Sequence, residues 1–197
     1  MEKEFCVMRV IAGKAKGKKL LAPEGLHTRP VTDQIKQAIF NSWQFKVPGS
    51  NFLDLFSGSG SMGVEAISRG AKKTTMVDND RNAVNIIRTN LQNCHFEKSS
   101  YNLLQADVFK VIEQMENKKE QFDIIYLDPP YTVDEIFNPV MEAIGNTHIL
   151  KEDGILAIRT KKEKDMADTY GNLEKVRMKK YGISMVHYYE NRVETES

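Results

Sequence analysis

Phe52-Leu53-Asp54-Leu55-Phe56-Ser57-Gly58-Ser59-Gly60-Ser61-Met62-Gly63 joins a short apolar run to a glycine-rich turn. An apolar run of this length, closed by glycines, reads as a buried strand. The glycines let the backbone approach a ligand closely, and the start of the following helix offers free N–H groups. A helix from about Met62 to Arg69 follows, stopped by Gly70. The same rhythm then repeats. Strand Thr74–Val77 ends at Asp78-Asn79-Asp80, and helix Arg81–Asn93 places Val84, Ile87 and Leu91 on one face. Strand Tyr101–Ala106 ends at Asp107 and precedes helix Val108–Met115. Strand Phe122–Leu127 ends at Asp128-Pro129-Pro130-Tyr131, a helix spans about Asp134–Ile144, and Gly154–Arg159 is a fifth strand. Alternation of this kind predicts an α/β fold with a mostly parallel sheet and helices on both faces. Leu173–Tyr181 and Ile183–Glu190 meet near Gly182 with no helix between them, so this pair is antiparallel. The expectation is a mostly parallel seven-stranded sheet with an antiparallel C-terminal strand.

Upstream, Val7–Ala12 and Lys18–Ala22 flank the turn-like Gly13-Lys14-Ala15-Lys16-Gly17, which predicts a small β-hairpin with a basic tip. Pro23, Gly25 and Pro30 mark irregular chain. Thr32 or Asp33 caps a helix whose Ile35, Ile39, Phe40 and Trp43 form one apolar face. The chain therefore divides into a basic hairpin and linker (1–30), a main domain (31–192) and a frayed tail (193–197).

The 197 residues are enough for one domain with its own core. No apolar run approaches the roughly 20 residues of a membrane span. The first residues lack the apolar core of a secretion signal, so the expected location is the cytoplasm. Cys6 and Cys94 form no CxxC pair, and His27, His95, His148 and His187 are scattered, so neither a disulfide framework nor a metal site is expected. Net charge is only +1 but unevenly spread: residues 1–46 hold nine Lys/Arg against four acids, the remainder nineteen against twenty-three. A basic head on an acidic body fits contact with a polyanion and equally a solvated lysine-rich surface.

Ligands of such sheets sit beyond the carboxyl ends of the strands. Gly58-x-Gly60-x-x-Gly63 followed by Asp78 fits a dinucleotide or an S-adenosylmethionine site alike, the acid accepting from ribose hydroxyls. Asp54 favours the second, because a carboxylate before the loop repels a pyrophosphate and attracts aminium and sulfonium groups. Asp107 can accept from an adenine amino group, cap the next helix, or both.

Asp128-Pro129-Pro130-Tyr131 is the most specific signal. Two prolines fix the backbone and remove amide donors, leaving the Asp128 carboxylate and main-chain carbonyls as acceptors. Two acceptors on the N–H bonds of an exocyclic base amine favour a pyramidal nitrogen whose lone pair can attack a methyl donor. Tyr131 can stack on an extruded base.

These motifs, with Met8-Arg9-Val10-Ile11-Ala12-Gly13 and Thr28-Arg29-Pro30-Val31-Thr32-Asp33, resemble the bacterial 16S ribosomal RNA guanine-N2 methyltransferase family often called RsmD. The resemblance covers nearly the whole chain and implies a Rossmann-like class I S-adenosylmethionine-dependent domain that methylates one guanine in the small ribosomal subunit. It implies that Asp54, Phe56, Gly58 and Gly60 line the cofactor, that Asp78 holds the ribose, that Asp107 faces the adenine, and that Asn79 and Val108 also belong to the cofactor site. It further implies that Arg29 and Thr32 close over that site and that Asp128–Tyr131 hold the guanine. Arg9, Lys14, Lys16, Lys18 and Lys19 are then placed to contact RNA phosphates. The partner would be 16S rRNA or the small subunit, met by a monomer without a metal. A DNA adenine-N6 methyltransferase shares the Asp-Pro-Pro-Tyr motif, and an NAD-dependent oxidoreductase would share the glycines and Asp78 but leave Asp54 and the proline loop without a role.

Overall fold

The computed structural model describes residues 8–23 and 30–192. In chain order the elements are β1 (Met8–Arg9), β2 (Lys19–Leu20), α1 (Asp33–Ser42), β3 (Asn51–Leu55), α2 (Ser61–Ser68), β4 (Lys73–Asp78), α3 (Arg81–Asn93) and β5 (Tyr101–Gln105). They continue with α4 (Val108–Asn117), β6 (Phe122–Leu127), α5 (Phe137–Gly145), β7 (Leu150–Lys161), β8 (Thr169–Tyr170), β9 (Leu173–Tyr181) and β10 (Ser184–Asn191). The main sheet runs β5-β4-β3-β6-β7-β10-β9-β8. Its first five strands are parallel, and β10 lies antiparallel to both β7 and β9.

Strands β3 and β6 sit at the centre and are buried on both faces, which is why they read as continuous apolar runs rather than alternating ones. On one face Leu53, Ile125, Leu156 and Tyr189 pack with α4 and α5. On the other, Phe52, Ile124, Tyr126 and Tyr188 pack with Ile39, Phe40 and Trp43 of α1.

Three features depart from expectation. The sheet has an eighth strand, β8, whose two residues pair with the start of β9 and are too few to carry a periodic signal. Strand β7 begins at Leu150, before the polar Lys151-Glu152-Asp153. Its register shifts there, so that Phe122 faces Leu150 while Ile124 faces Ile155. Lys36, which belongs to the basic head by count, is fully buried on α1.

β1 and β2 form the expected hairpin, Met8 opposite Leu20. It lies along α2 instead of projecting freely. Met8, Val10, Ala15 and Leu20 pack against Val64, Ile67, Ile87 and Leu91. Gly13, at φ +82°, passes so close to Ser68 that a Cβ would stand 1.9 Å from its carbonyl oxygen. The hydroxyl of Ser68 accepts from Ala15 N–H (2.9 Å) and donates to the Ala12 carbonyl (2.6 Å). The strands lie near the start of α2 and the basic tip near its end. Residues 1–7, 24–29 and 193–197, which include Arg29 and the frayed tail expected from sequence, lie outside the described residues.

Candidate active site

The register of the parallel strands brings the ends of β3, β4 and β6 to one edge, with Leu55 opposite both Val77 and Leu127. The loop after β3 is held tightly. Ser57 N–H donates to the Val77 carbonyl (3.0 Å), and Gly60 N–H donates to the Ser57 carbonyl (2.7 Å). Gly60, at φ +77°, is the N-cap of α2, which an L side chain would strain. Phe56 also adopts a positive φ, +60°, uncommon for a non-glycine residue and typical of backbone fixed at a ligand site.

Asp54 is buried beneath this loop and accepts Gly63 N–H at 3.1 Å. Gly63 is needed there because a Cβ would stand 2.6 Å from the Met76 side chain. Burial pushes the Asp54 carboxyl up to about 8; the Gly63 N–H opposes this, and the charges of Asp128 and Asp78 add to it. Asp78 accepts Gly58 N–H (2.9 Å) and Asp80 N–H (2.9 Å), and burial raises its carboxyl as well.

Two cavities meet at Phe56. One is lined by Phe56, Asp78, Asn79, Asp107 and Val108. The other is lined by Asp54, Gly58, Tyr126, Asp128 and Arg159, with Pro30 and Val31 above. A Cβ at Gly58 would meet nothing within 4 Å, so the space beside that backbone is open. Asp107, Asp78 and Asp54 thus offer acceptors along two cavities joined at Phe56, an arrangement whose chemistry fits the adenine, ribose and sulfonium parts of S-adenosylmethionine. Asp107 caps α4, accepting Lys110 N–H at 3.2 Å. Thr32 caps α1 by accepting Ile35 N–H (3.3 Å) and lines a neighbouring cleft.

Asp128 follows β6 and lies beside Arg159 because Leu127 pairs with Ile158. Arg159 grips it with a fork: Nε donates to Oδ1 (3.1 Å) and Oδ2 (3.0 Å), and Nη2 to Oδ2 (2.8 Å). Tyr126 OH donates to Oδ2 at 3.4 Å. The Arg159 side chain is 3% exposed and that of Asp128 16%, so Asp128 is the more open member of a pair that lines the cavity together. A carboxylate has about four acceptor directions, which leaves Oδ1 able to receive a substrate N–H. Burial raises the Asp128 carboxyl, opposed by the Arg159 charge. The Tyr131 hydroxyl donates to the Thr160 carbonyl (3.1 Å) and lies 3.2 Å from Ser184 Oγ, which fixes its ring; Arg159 lies 5.3 Å from the ring centroid.

Arg159 was invisible to sequence reasoning, where it only closes an apolar strand. Lys36, Glu65 and Asn90 were missed for the same reason. Lys36 Nζ donates to the Arg9 carbonyl (2.6 Å) and Ser61 Oγ (2.9 Å), and Asn90 Nδ2 donates to the carbonyls of Ser59 (2.9 Å) and Leu21 (3.0 Å). Both tie the hairpin to residues flanking Gly60. Of the basic residues expected at RNA, Arg9 lies near the start of α2 and pairs with Asp33 (3.0 Å), whereas Lys14 is over the Phe96 ring at the far end. Lys16, Lys18 and Lys19 are exposed.

A family model described as Conserved hypothetical protein 95 matches residues 8–190. YlbH of Bacillus subtilis is 34% identical over 185 residues, 94% of this chain and 100% of that protein. Ribosomal RNA small subunit methyltransferase D of Haemophilus influenzae is 33% identical over 189 residues, 93% of this chain and 94% of that protein. The solved structure of yhhF from Escherichia coli superposes with a TM-score of 0.81 at 24% identity, covering 93% of this chain and 97% of that one, which shows the same fold.

Proposed function

This chain belongs to the Conserved hypothetical protein 95 family, that of ribosomal RNA small subunit methyltransferase D, and on that premise we propose that it methylates the exocyclic N2 of a guanine in small-subunit rRNA. The observation that carries the reading is the adjacency of Asp54 and Asp128 on one cavity wall, a carboxylate for a cation beside a carboxylate for an amine. When bound, S-adenosylmethionine supplies an electrophilic methyl group. Asp54 and Asp78 attract and orient the cationic cofactor. Asp128, held by Arg159, accepts an N–H of the base amine and steers the nitrogen lone pair toward the methyl group. Asp128 need not be a strong base, because the aminium formed is acidic and loses its proton late. Pro129 and Pro130 keep the loop rigid, Tyr131 stands beside the base, and Arg9 with the hairpin lysines contributes phosphate contacts. An oxidoreductase reading leaves Asp54 and Asp128 without a role.

The test is transfer of labelled methyl groups to small subunits, bare small-subunit rRNA and DNA. Label in one of the ribosomal substrates and none in DNA is expected; label confined to DNA, or calorimetric preference for NAD over S-adenosylmethionine, would end the proposal.

Asp54 supplies a second expected result. Its carboxyl, at about 8, holds a proton at pH 7, whereas a bound cation favours the carboxylate. Binding of S-adenosylmethionine should therefore release a proton, and affinity should rise by up to roughly tenfold per pH unit below about 8, then level off. Calorimetry in buffers of differing ionisation enthalpy measures this. Proton uptake, or release unchanged in Asp54→Asn, would refute it.

A further inference from the structure

The stretch from Arg159 to Tyr181 carries eight basic and four acidic residues, a density hidden within the acidic body. Because β10 runs antiparallel to β7, with Ser184 opposite Lys161, the Gly182–Ile183 turn lies at the same sheet edge as Asp128. A cleft of about 460 Å³ opens there. Pro30, Thr32, Gln34, Tyr181 and Ile183 line it, and Arg159 lines both this cleft and the Asp128 cavity. Ile183 is 49% exposed, an apolar side chain on the rim. Lys180 lines the cleft, and Lys179 Nζ stands 5.4 Å from the Tyr181 ring centroid. By contrast, the tip lysines of the N-terminal hairpin lie at the far end of α2, about 10 Å below this edge at 1.5 Å per helical residue.

We propose that this cleft is a nucleotide-binding subsite for the RNA strand next to the modified guanosine. A base lies against Tyr181 and Ile183, and the nucleotide's phosphates meet Lys179 and Lys180. A slot of this size suits one nucleotide, an aromatic wall accepts any base by stacking, and lysines around it match the phosphates. The inference rests on the reading of the protein as an RNA methyltransferase and adds where the flanking strand runs.

The experiment uses the full chain with Lys179→Ala/Lys180→Ala and, separately, Ile183→Ser, all at exposed positions. Methyl transfer to small-subunit rRNA is measured against RNA concentration at several salt concentrations, with S-adenosylmethionine affinity measured by calorimetry. The double variant should raise KM for RNA by about tenfold and lower the salt slope by up to about 2, one phosphate per lysine. Ile183→Ser should raise KM with the slope unchanged, and cofactor affinity should stay the same in both. Unchanged KM and salt slope in the double variant would overturn the subsite. A changed oligomeric state on size-exclusion would assign the face to a second copy and equally overturn it. Absence of transfer by the unaltered protein would instead fail the underlying functional reading.

Discussion

Replacing Asp128 by Asn is expected to lower kcat by about 10³-fold while leaving S-adenosylmethionine affinity within roughly threefold, the size of effect seen when a preorganised electrostatic group is removed from a transition state. The substitution keeps the shape of the side chain and changes its chemistry at two places. Toward the cavity it removes the negative charge that stabilises the developing aminium. Toward the interior it sets a neutral amide against the guanidinium of Arg159, which now donates three hydrogen bonds of 2.8–3.1 Å to the carboxylate. Asp128→Ala is the harsher change. It takes the carboxylate from a guanidinium that is 3% exposed, and breaking a buried pair in this way costs about 3–5 kcal/mol. The Asn variant therefore reports on chemistry and the Ala variant on chemistry plus stability. Single-turnover rates with thermal melts separate the two. An Asn variant keeping more than a tenth of the wild-type rate would refute the assigned role.

The second large effect lies away from the chemistry. Glu65 is fully buried on α2, accepts Ile11 N–H at 2.8 and 3.1 Å and Ala12 N–H at 3.4 Å, and stands 3.8 Å from the ammonium of Lys36, itself buried. Glu65→Ala leaves those amides without an acceptor and the Lys36 charge without its carboxylate. Burial already lowers the Lys36 pKa, with the Glu65 charge opposing. The expected loss is about 3–5 kcal/mol, which for a chain of this size lowers Tm by roughly 6–20 °C. Glu65→Gln retains an acceptor and should lose less. Because Lys36 also holds Ser61 beside Gly60, the Ala variant should bind S-adenosylmethionine more weakly even below its Tm. A loss under about 1 kcal/mol in chemical denaturation would show that the hairpin is not anchored through this pair.

Four strands of the parallel part, β3 to β6, were readable because they are short runs closed by glycine, aspartate or proline. α3 and β6 have the boundaries their patterns imply. The start of β7 was not, since Lys151-Glu152-Asp153 looks like loop while pairing carries the backbone through it. Asp54, Asp78, Asp107 and Asp128 were legible from position alone, each standing at the end of a strand. Their support was not. Arg159, Lys36, Glu65 and Asn90 are polar residues buried by partners distant in sequence, and a single chain offers no sign of which charge will find a partner. Charge counting misled in two ways: it included the buried Lys36 in the basic head, and it averaged the lysines of β9 into an acidic body. Thr32 had a local signal as a helix cap, and the structure shows that use.

The central claim is that a methyl donor and a base amine meet at the Asp54 and Asp128 edge. The most direct check is the chemical identity of the product. Small-subunit RNA, free or in particles, would be incubated with the protein and methyl-labelled S-adenosylmethionine, digested to nucleosides and resolved by chromatography with mass detection. Label in N2-methylguanosine is the predicted result; label in N6-methyladenosine, in a carbon-methylated pyrimidine or in no nucleoside would contradict it.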